Sequence, residues 1–599
     1  MCGIVGYIGT KPNAIKTIID GLEALEYRGY DSSGIAYIEK NQITIKKKEG
    51  RITNLKETLD FNLPVFMGIG HTRWATHGEP NERNSHPHQC GKFTIVHNGI
   101  IENYAELKKE LEKKGYTFQS DTDTEVACAM LDAIYQENLD ILKTLSIAER
   151  KLKGSYALGI LCSDDLNTLY AMRNKSPLIV AEKGEDKYIA SDVPAILSYT
   201  NEYYLLDDFD IAILKENSLS FYHPEKGYFE KEKLIFEGNV EASRKEGYEH
   251  YMLKEIHEQP KVIMDTIRYY YDGTKESLDK NLPNLDKYNN IHIVACGSAY
   301  HTGLVAKALI EEMVELPVTC EIASEYRYKK VFYDESTLVI VISQSGETAD
   351  TLASLRKAKK DHIDTLAIVN VIGSSIAREA DNVLYIKAGC EIAVATTKAY
   401  SAQLALLSLL TLKLSIIHNK IEIDELSTIN NQLVELSNMI EKLILNEQYK
   451  KIATNIYQRE DIFYLGRKLD YAISMEGALK LKEISYINSV SYPAGELKHG
   501  TISLVEKNTP VIGIITDSNM REKTVSNLKE TSARGASIIA ISTEVIPDVA
   551  ELILIPTVHP LWQSLLTIIP LQLIAYEIAK LRGCDIDKPR NLAKSVTVE

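Results

Sequence analysis

The chain has 599 residues, 45% of them apolar and 25% charged, and carries a formal net charge of −15. That length exceeds what one hydrophobic core organises and implies about three or four domains. The acidic balance argues against a nucleic-acid partner, which calls for a basic surface, and leaves helix N-termini, hydroxyls and placed lysines to hold any phosphorylated ligand.

The first part of the chain, to about Val240, alternates irregularly between strand-like runs (Val65–Gly70, Phe93–His97, Asp210–Leu214) and helix-like ones (Ala14–Leu25, Thr124–Gln136). This is a mixed α/β pattern without the steady alternation of a parallel doubly wound sheet. Glu241-Ala-Ser-Arg-Lys-Glu-Gly247 reads as a linker, followed by a helical connector over Tyr248–Tyr271. Beyond Asn290 the alternation becomes regular. The spacing predicts strands at Ile291–Ala295, Leu338–Ile342, Leu366–Val371 and Val383–Lys387, with helices from His301 and Thr348. Such a pattern implies a parallel sheet with helices on both faces. It returns with strands at Asp461–Leu465, Val511–Thr516, Ile538–Ser542 and Leu552–Ile555 and a helix through Glu476–Ile484, which predicts an internal duplication. The apolar runs Ser401–Ile417 and Trp562–Ala579 are interrupted by polar residues and read as buried helices rather than membrane spans.

Eight scattered cysteines form no Cys-x-x-Cys pair, which argues against a disulfide scaffold or zinc ribbon. The start, Met-Cys-Gly-Ile-Val-Gly-Tyr, lacks the basic and long apolar regions of a signal peptide, so a cytoplasmic protein is expected.

Met followed by a small residue is normally cleaved, leaving Cys2 with a free α-amine that can serve as its own general base. Alone, a cysteine at this position is ordinarily a chance small residue. Its weight comes from Cys2-Gly-Ile-Val-Gly, Glu26-Tyr-Arg-Gly-Tyr-Asp-Ser, Gly70-His-Thr-Arg-Trp-Ala-Thr-His-Gly-Glu-Pro, Val96-His-Asn-Gly-Ile-Ile-Glu-Asn, Asp121-Thr-Asp-Thr-Glu and Gly154-Ser-Tyr-Ala, in that order. Together they resemble the N-terminal-nucleophile glutamine amidotransferase domain. The resemblance implies Cys2 as nucleophile, with Asn98 and the backbone amide of Gly99 donating to the tetrahedral oxyanion. Arg73, helped by Thr76 and His77, would clamp the glutamine carboxylate, and Asp123 would pair its ammonium. Arg28 is implied at a mobile lid and Trp74 at the ammonia exit, against the plainer readings of a surface ion pair and a core side chain. His71, His77, His86, His88, Cys90 and His97 invite a metal reading, but no pair has helical zinc spacing and Pro87 interrupts the cluster; satisfied histidines are the better account.

Ser343-Gln-Ser-Gly-Glu-Thr348 lies between a buried strand and a helix, where backbone N–H groups, a positive helix end and hydroxyls suit a phosphate. The plainer reading is a helix cap. The run resembles the phosphosugar signature of sugar isomerase (SIS) domains, which implies Ser343, Gln344, Ser345 and Thr348 at the sugar phosphate. In Cys296-Gly-Ser-Ala299, Ser298 keeps a hydroxyl at the family's threonine, while Ala299 replaces its serine and loses one contact.

Glu476, Lys480 and Glu483 share one helical face, which by itself reads as solvated charge. Glu476-Gly-Ala-Leu-Lys-Leu-Lys-Glu-Ile-Ser-Tyr, Gly495-Glu-Leu-Lys-His-Gly and the end Pro589-Arg-Asn-Leu-Ala-Lys-Ser-Val-Thr-Val-Glu599 jointly resemble the glutamine–fructose-6-phosphate aminotransferases. That resemblance covers essentially the whole chain. It implies a glutaminase domain with αββα layers over 1–240, a connector over 241–284, SIS subdomains over 285–424 and 455–589 joined by a helix over 425–454, and a tail over 590–599 that completes the active site.

The implied substrates are glutamine and fructose 6-phosphate, and the products glutamate and glucosamine 6-phosphate. Ammonia would be channelled between the two sites, in the first step of amino-sugar nucleotide biosynthesis. Lys594 would form a Schiff base at C2, Glu483 would move the proton between C1 and C2, Lys480 would help relay protons near Glu483, and His499 from a neighbouring subunit would open the ring. Val394 and Ala593 would touch the sugar, and Glu476 would shape the site. A homodimer is implied, and no metal, nucleotide or pyridoxal cofactor. A non-catalytic sugar-phosphate sensor is the rival reading of the second half; Glu483, His499 and Lys594 speak against it.

Overall fold

The computed structural model describes residues 2–74, 78–236 and 245–597, apart from the side chains of Ile423 and Asp424. It divides into two units, Met1–Glu241 with Ala593–Glu599, and Ala242–Leu592.

The first unit holds two antiparallel sheets, of eight and seven strands. Strands such as Gly3–Ile8, Met67–Arg73 and Gly154–Cys162 are buried along nearly their whole length, so each sheet has two faces to cover. Between them, Ile4, Ile8, Met67 and Ile69 of one sheet meet Val96, Leu161, Leu169 and Leu214 of the other. The outer face of the first sheet packs on helix Ala14–Leu25 through Val5, Ile15, Ile18 and Leu22. The outer face of the second packs on helices Asp123–Asn138 and Ile141–Lys151 through Ile95, Leu131, Leu145 and Leu158. The four layers run αββα. Strand Gly3–Ile8 lies inside its sheet, paired on one side with Met67–Arg73 and on the other with Asp186–Ala190, so the residue entering it is held between two strands.

The second unit contains two five-stranded parallel sheets. In the first, Val318–Ile322, Asn290–Ala295, Thr337–Ser343, Asp364–Val369 and Asn382–Tyr385 lie side by side in that order. In the second, Asn488–Pro493, Asp461–Gly466, Pro510–Ile515, Ser537–Ser542 and Glu551–Leu554 repeat it. Both have the order 2-1-3-4-5, which confirms the duplication. The edge strands Val318–Ile322 and Asn488–Pro493 are only partly buried and carry too few apolar residues to stand out in the sequence.

The two long apolar helices, Lys398–Ile417 and Pro560–Leu581, are long enough to cross a membrane but are 89% and 83% buried within this unit. Their lack of a polar face is that of core helices. A single core joins them to both sheets and includes the fully buried Trp562. The Trp562 indole N–H donates to the Ile429 carbonyl at 3.3 Å, which satisfies its one polar atom. Trp562→Ala is expected to cost about 3–5 kcal/mol, read as a lowered denaturant midpoint for unfolding of the second unit.

Candidate functional site

Two sites emerge, one in each unit. In the first, Cys2 leads into strand Gly3–Ile8, and Gly3 pairs with Thr72. A Cβ on Gly3 would come within 2.5 Å of the Thr72 hydroxyl, so only glycine allows Cys2 to lie so close to the end of strand Met67–Arg73. The Trp74 N–H donates to the Cys2 sulfur at 3.2 Å, and the thiol reaches the Trp74 carbonyl at 3.5 Å. Burial pushes the Cys2 thiol up from its ordinary value, while the Arg73 guanidinium works the other way.

Asn98 lies on strand Phe93–Ile101, and its amide N–H donates to the Cys2 carbonyl at 2.9 Å. The next residue, Gly99, has φ +122°, and a Cβ there would fall 1.9 Å from the Ser155 carbonyl oxygen. This is a position that demands glycine. His71 Nε2 lies 2.9 Å from the His97 carbonyl and 3.1 Å from Asn98 Oδ1. Both are acceptors, so Nε2 carries the hydrogen, and Asn98 is turned with its NH2 toward Cys2.

Arg73 is buried, and it donates to the carbonyls of Gly78 at 3.1 Å and Glu79 at 3.4 Å. Asp123 opens helix Asp123–Asn138, where the helix dipole favours a carboxylate, and it accepts the Ile101 N–H at 2.8 Å. Arg28 is buried in an ion pair with Asp192 and donates to the Ser191 carbonyl, each at 2.9 Å. Trp74 is half-buried, edge-on to Tyr30. Thr76 and His77 lie outside the described residues.

The second site forms where the strand order of the first parallel sheet reverses. Neighbouring strands Asn290–Ala295 and Thr337–Ser343 send their chains to opposite sides there, which opens a crevice at their C-terminal ends. Ser298 stands on one side, in the first turn of helix Gly297–Met313. Ser343 stands on the other, its hydroxyl 2.9 Å from that of Thr348 and accepting the Gly346 N–H at 3.1 Å. Ser345 accepts the Glu347 N–H at 3.2 Å, and Gln344 is half-buried between the two serines. Gly346 has φ +66°, and a Cβ would overlap the Ser374 hydroxyl at 1.9 Å.

Ser298 reaches into the second half of the unit. Its hydroxyl donates to Glu476 at 2.9 Å and accepts from Lys480 at 3.1 Å. Lys480 also pairs with Glu476 at 3.2 Å and Glu483 at 2.8 Å. Burial alone would lower the Lys480 pKa, but the two carboxylates prevail and hold it above its ordinary value. Burial likewise acts to raise Glu476, yet Lys480, His301 and Ser298 keep it below the usual carboxylate value. Lys480 is therefore a fixed cation. Val394 is buried in the segment before helix Lys398–Ile417, and His499 is exposed at the end of the turn Glu496–His499. Ala593 and Lys594 belong to the first unit.

Comparison with known proteins matches both units to known domain families. Residues 71–198 match the glutamine amidotransferase domain family, and residues 284–413 and 455–581 each match the SIS domain family. The chain is 48% identical to the glutamine–fructose-6-phosphate aminotransferase [isomerizing] of Clostridium tetani, with 100% of both chains covered. Identity to the Thermus thermophilus protein of the same name is 42%, again over 100% of each. The chain belongs to the glutamine–fructose-6-phosphate aminotransferase family. Among solved structures, the C-terminal domain of the glucosamine-fructose-6-phosphate aminotransferase from Francisella tularensis matches with a TM-score of 0.55 and 40% identity, covering 57% of this chain and 99% of that one.

Two residues of these sites were not singled out for them in the sequence. His301 Nδ1–H donates to the Glu476 carboxylate at 2.8 Å, and only its place one helical turn after Ser298 hinted at this. His71 orients Asn98 but reads in sequence as one histidine of many. The histidines pack as rings, His71 on His86 at 4.2 Å and His86 on His88 at 5.1 Å. Burial draws His71 down to about 3 and holds His86 and His88 well below their ordinary value, so all three are neutral. Unfolded, each titrates near 6.5, so between that pH and the lowered folded value the unfolded chain binds more protons. Stability of the first unit is then full above pH 6.5 and is lost as pH falls, by about 1.4 kcal/mol per pH unit for each histidine. Denaturant midpoints measured between pH 6.5 and 5, above the carboxylate range, are expected to fall steadily; a flat profile there would contradict neutral burial.

Proposed function

We propose that the protein converts D-fructose 6-phosphate and L-glutamine to D-glucosamine 6-phosphate and L-glutamate. What carries this reading is the crevice with a hydroxyl loop suited to phosphate, Ser343–Thr348, on one side and Ser298 on the other, where Ser298 is bonded to the fixed cation Lys480 and Lys480 in turn pairs with the carboxylate Glu483. Moving a proton between adjacent carbons of a sugar phosphate requires an anion cradle and a placed acid–base group, and both are present.

At the first site, the Cys2 sulfur attacks the side-chain amide carbon of glutamine. The oxyanion is received by Asn98 Nδ2–H and the Gly99 N–H, while Arg73 and Asp123 hold the substrate's carboxylate and ammonium. The α-amine of the processed chain takes the thiol proton on attack and passes it to the departing nitrogen, so that collapse expels ammonia; water then cleaves the thioester, releasing glutamate and restoring the thiol. The neutral tautomer of His71 supports this assignment, because it leaves Asn98 only one way to face Cys2.

Ammonia passes to the second site. There Lys594 condenses with C2 of the sugar, ammonia replaces it, and Glu483 carries the proton from C1 to C2. Lys480 supplies charge next to Glu483, the role its raised pKa favours over that of a proton shuttle. Ser298, Ser343, Gln344, Ser345 and Thr348 hold the phosphate end, with Val394 and Ala593 against the sugar. His499, exposed on this chain, opens the ring in a second copy, so the working form is a homodimer. The reaction uses soluble metabolites and is placed in the cytoplasm.

Cys2→Ala is expected to abolish glutamine hydrolysis and leave phosphosugar isomerisation measurable; Lys594→Ala is expected to do the reverse. Separate assays for glutamate and for glucosamine 6-phosphate decide this. Normal glutamine hydrolysis by Cys2→Ala would sink the nucleophile assignment, and amino-sugar synthesis by Lys594→Ala would sink the Schiff-base one.

A further inference from the structure

Residues 386–397 connect strand Asn382–Tyr385 to helix Lys398–Ile417 with no helix or strand of their own. Ala393, Val394, Ala395 and Thr397 within them are buried. Buried irregular backbone must find partners for its N–H groups outside any ladder, and here carboxylates supply them.

Glu255, from the connector helix Tyr251–Tyr270, accepts the N–H groups of Ile392 at 2.6 Å and Ala393 at 3.0 Å through one oxygen. Its other oxygen accepts the Thr397 hydroxyl at 3.0 Å. Glu391 accepts the N–H groups of Thr397 and Ala399, both at 3.0 Å. The Val394 N–H donates to the carbonyl oxygen of Asp587 at 2.9 Å. The Asp587 carboxylate accepts the N–H groups of Tyr251 at 2.9 Å and Met252 at 3.0 Å, and Lys245 lies 3.4 Å away. Tyr251 and Met252 begin the helix that carries Glu255, and their N–H groups have no partner within it; the N-cap residue His250 makes no side-chain cap. A carboxylate is the fitting group for that helix end.

We propose that Asp587 and Glu255 are positioning residues for the sugar-phosphate step. Asp587 fixes the start of the connector helix with its side chain and the Val394 backbone with its carbonyl. Glu255 fixes the same loop from one turn further along that helix. The loop, the helix and the segment that runs on toward Lys594 are thereby set by one frame. Charge-assisted bonds from carboxylates to N–H groups are about twice as strong as neutral ones, which is why carboxylates rather than amides hold this frame. The inference rests on the placement of Val394 at the sugar.

The test is steady-state amino-sugar synthesis by the full-length protein with fructose 6-phosphate varied, for Asp587→Ala, Asp587→Asn and Thr397→Val, with Ser343→Ala as reference. Asp587→Asn keeps one acceptor, and Thr397→Val removes one bond to Glu255 at nearly constant volume; these two carry the test if Asp587→Ala does not fold. KM for fructose 6-phosphate is expected to rise about tenfold in Asp587→Ala, with kcat within about threefold and Asp587→Asn in between. Unchanged KM in Thr397→Val and Asp587→Asn, beside a raised KM in Ser343→Ala, overturns the inference and leaves the site intact. A fall in kcat with KM unmoved overturns it as well. Unchanged KM in Ser343→Ala overturns the reading of the crevice itself.

Discussion

The ion pair between Glu476 and Lys480 is the constraint on which the second site depends. Both side chains are fully buried, and an isolated charge in such surroundings costs several kcal/mol even after relaxation. Every polar atom of the carboxylate is therefore engaged: one oxygen by Ser298 and Lys480, the other by His301. Ser298 and His301 belong to the first half of the duplicated unit, Glu476 and Lys480 to the second. The need to satisfy one buried charge thus fastens the two halves together at the crevice. The remaining donor capacity of Lys480 is spent on Glu483, which is one-fifth exposed and so remains open to a ligand.

The glutaminase site solves the opposite problem. Its donor to an oxyanion must be a neutral amide held in one orientation, and a charged neighbour would compete for the substrate. Burial keeps His71 neutral with its hydrogen on Nε2, and that single hydrogen decides which end of Asn98 faces Cys2. In the proposed mechanism the charges of glutamine itself are met by Arg73 and Asp123. One chain thus uses neutral burial to build one site and paired burial to build the other.

The sequence carried these arrangements unequally. Helix Ala14–Leu25 and the central parallel strands are legible because burial on defined faces imposes a period. The duplication is legible for the same reason, since both sheets need the same apolar runs. Edge strands such as Asn488–Pro493 are half-solvated and leave a weaker mark. Helix Gly297–Met313 begins four residues before the expected His301, because Gly297 at φ +56° turns the chain directly into it and Ser298 must lie in its first turn. Motif resemblance named Asn98 and Glu483; it could not name His71, Glu255 or Asp587, whose work is done through contacts distant in sequence.

Duplication predicts two crevices of one kind, yet the halves differ at the decisive point. In the first sheet the loop after the third strand presents Ser343, Ser345 and Thr348. In the second, the loop after strand Pro510–Ile515 turns its N–H groups inward, where Asp470 accepts those of Thr516 at 2.8 Å and Asp517 at 3.2 Å and the Thr516 hydroxyl as well. Asp470 sits at the start of helix Leu469–Ser485 and is fully buried; burial pushes it up to about 6 against the pull of these donors. The chain's own carboxylate thus fills the position that an external anion would take, and the same helix, freed from holding a ligand at its start, presents Glu476, Lys480 and Glu483 further along to the crevice of the first half. On the proposed reading, a repeated fold yields a single composite site because one copy supplies the cradle and the other, its own loop bonded to Asp470, supplies Glu483 and the cation beside it.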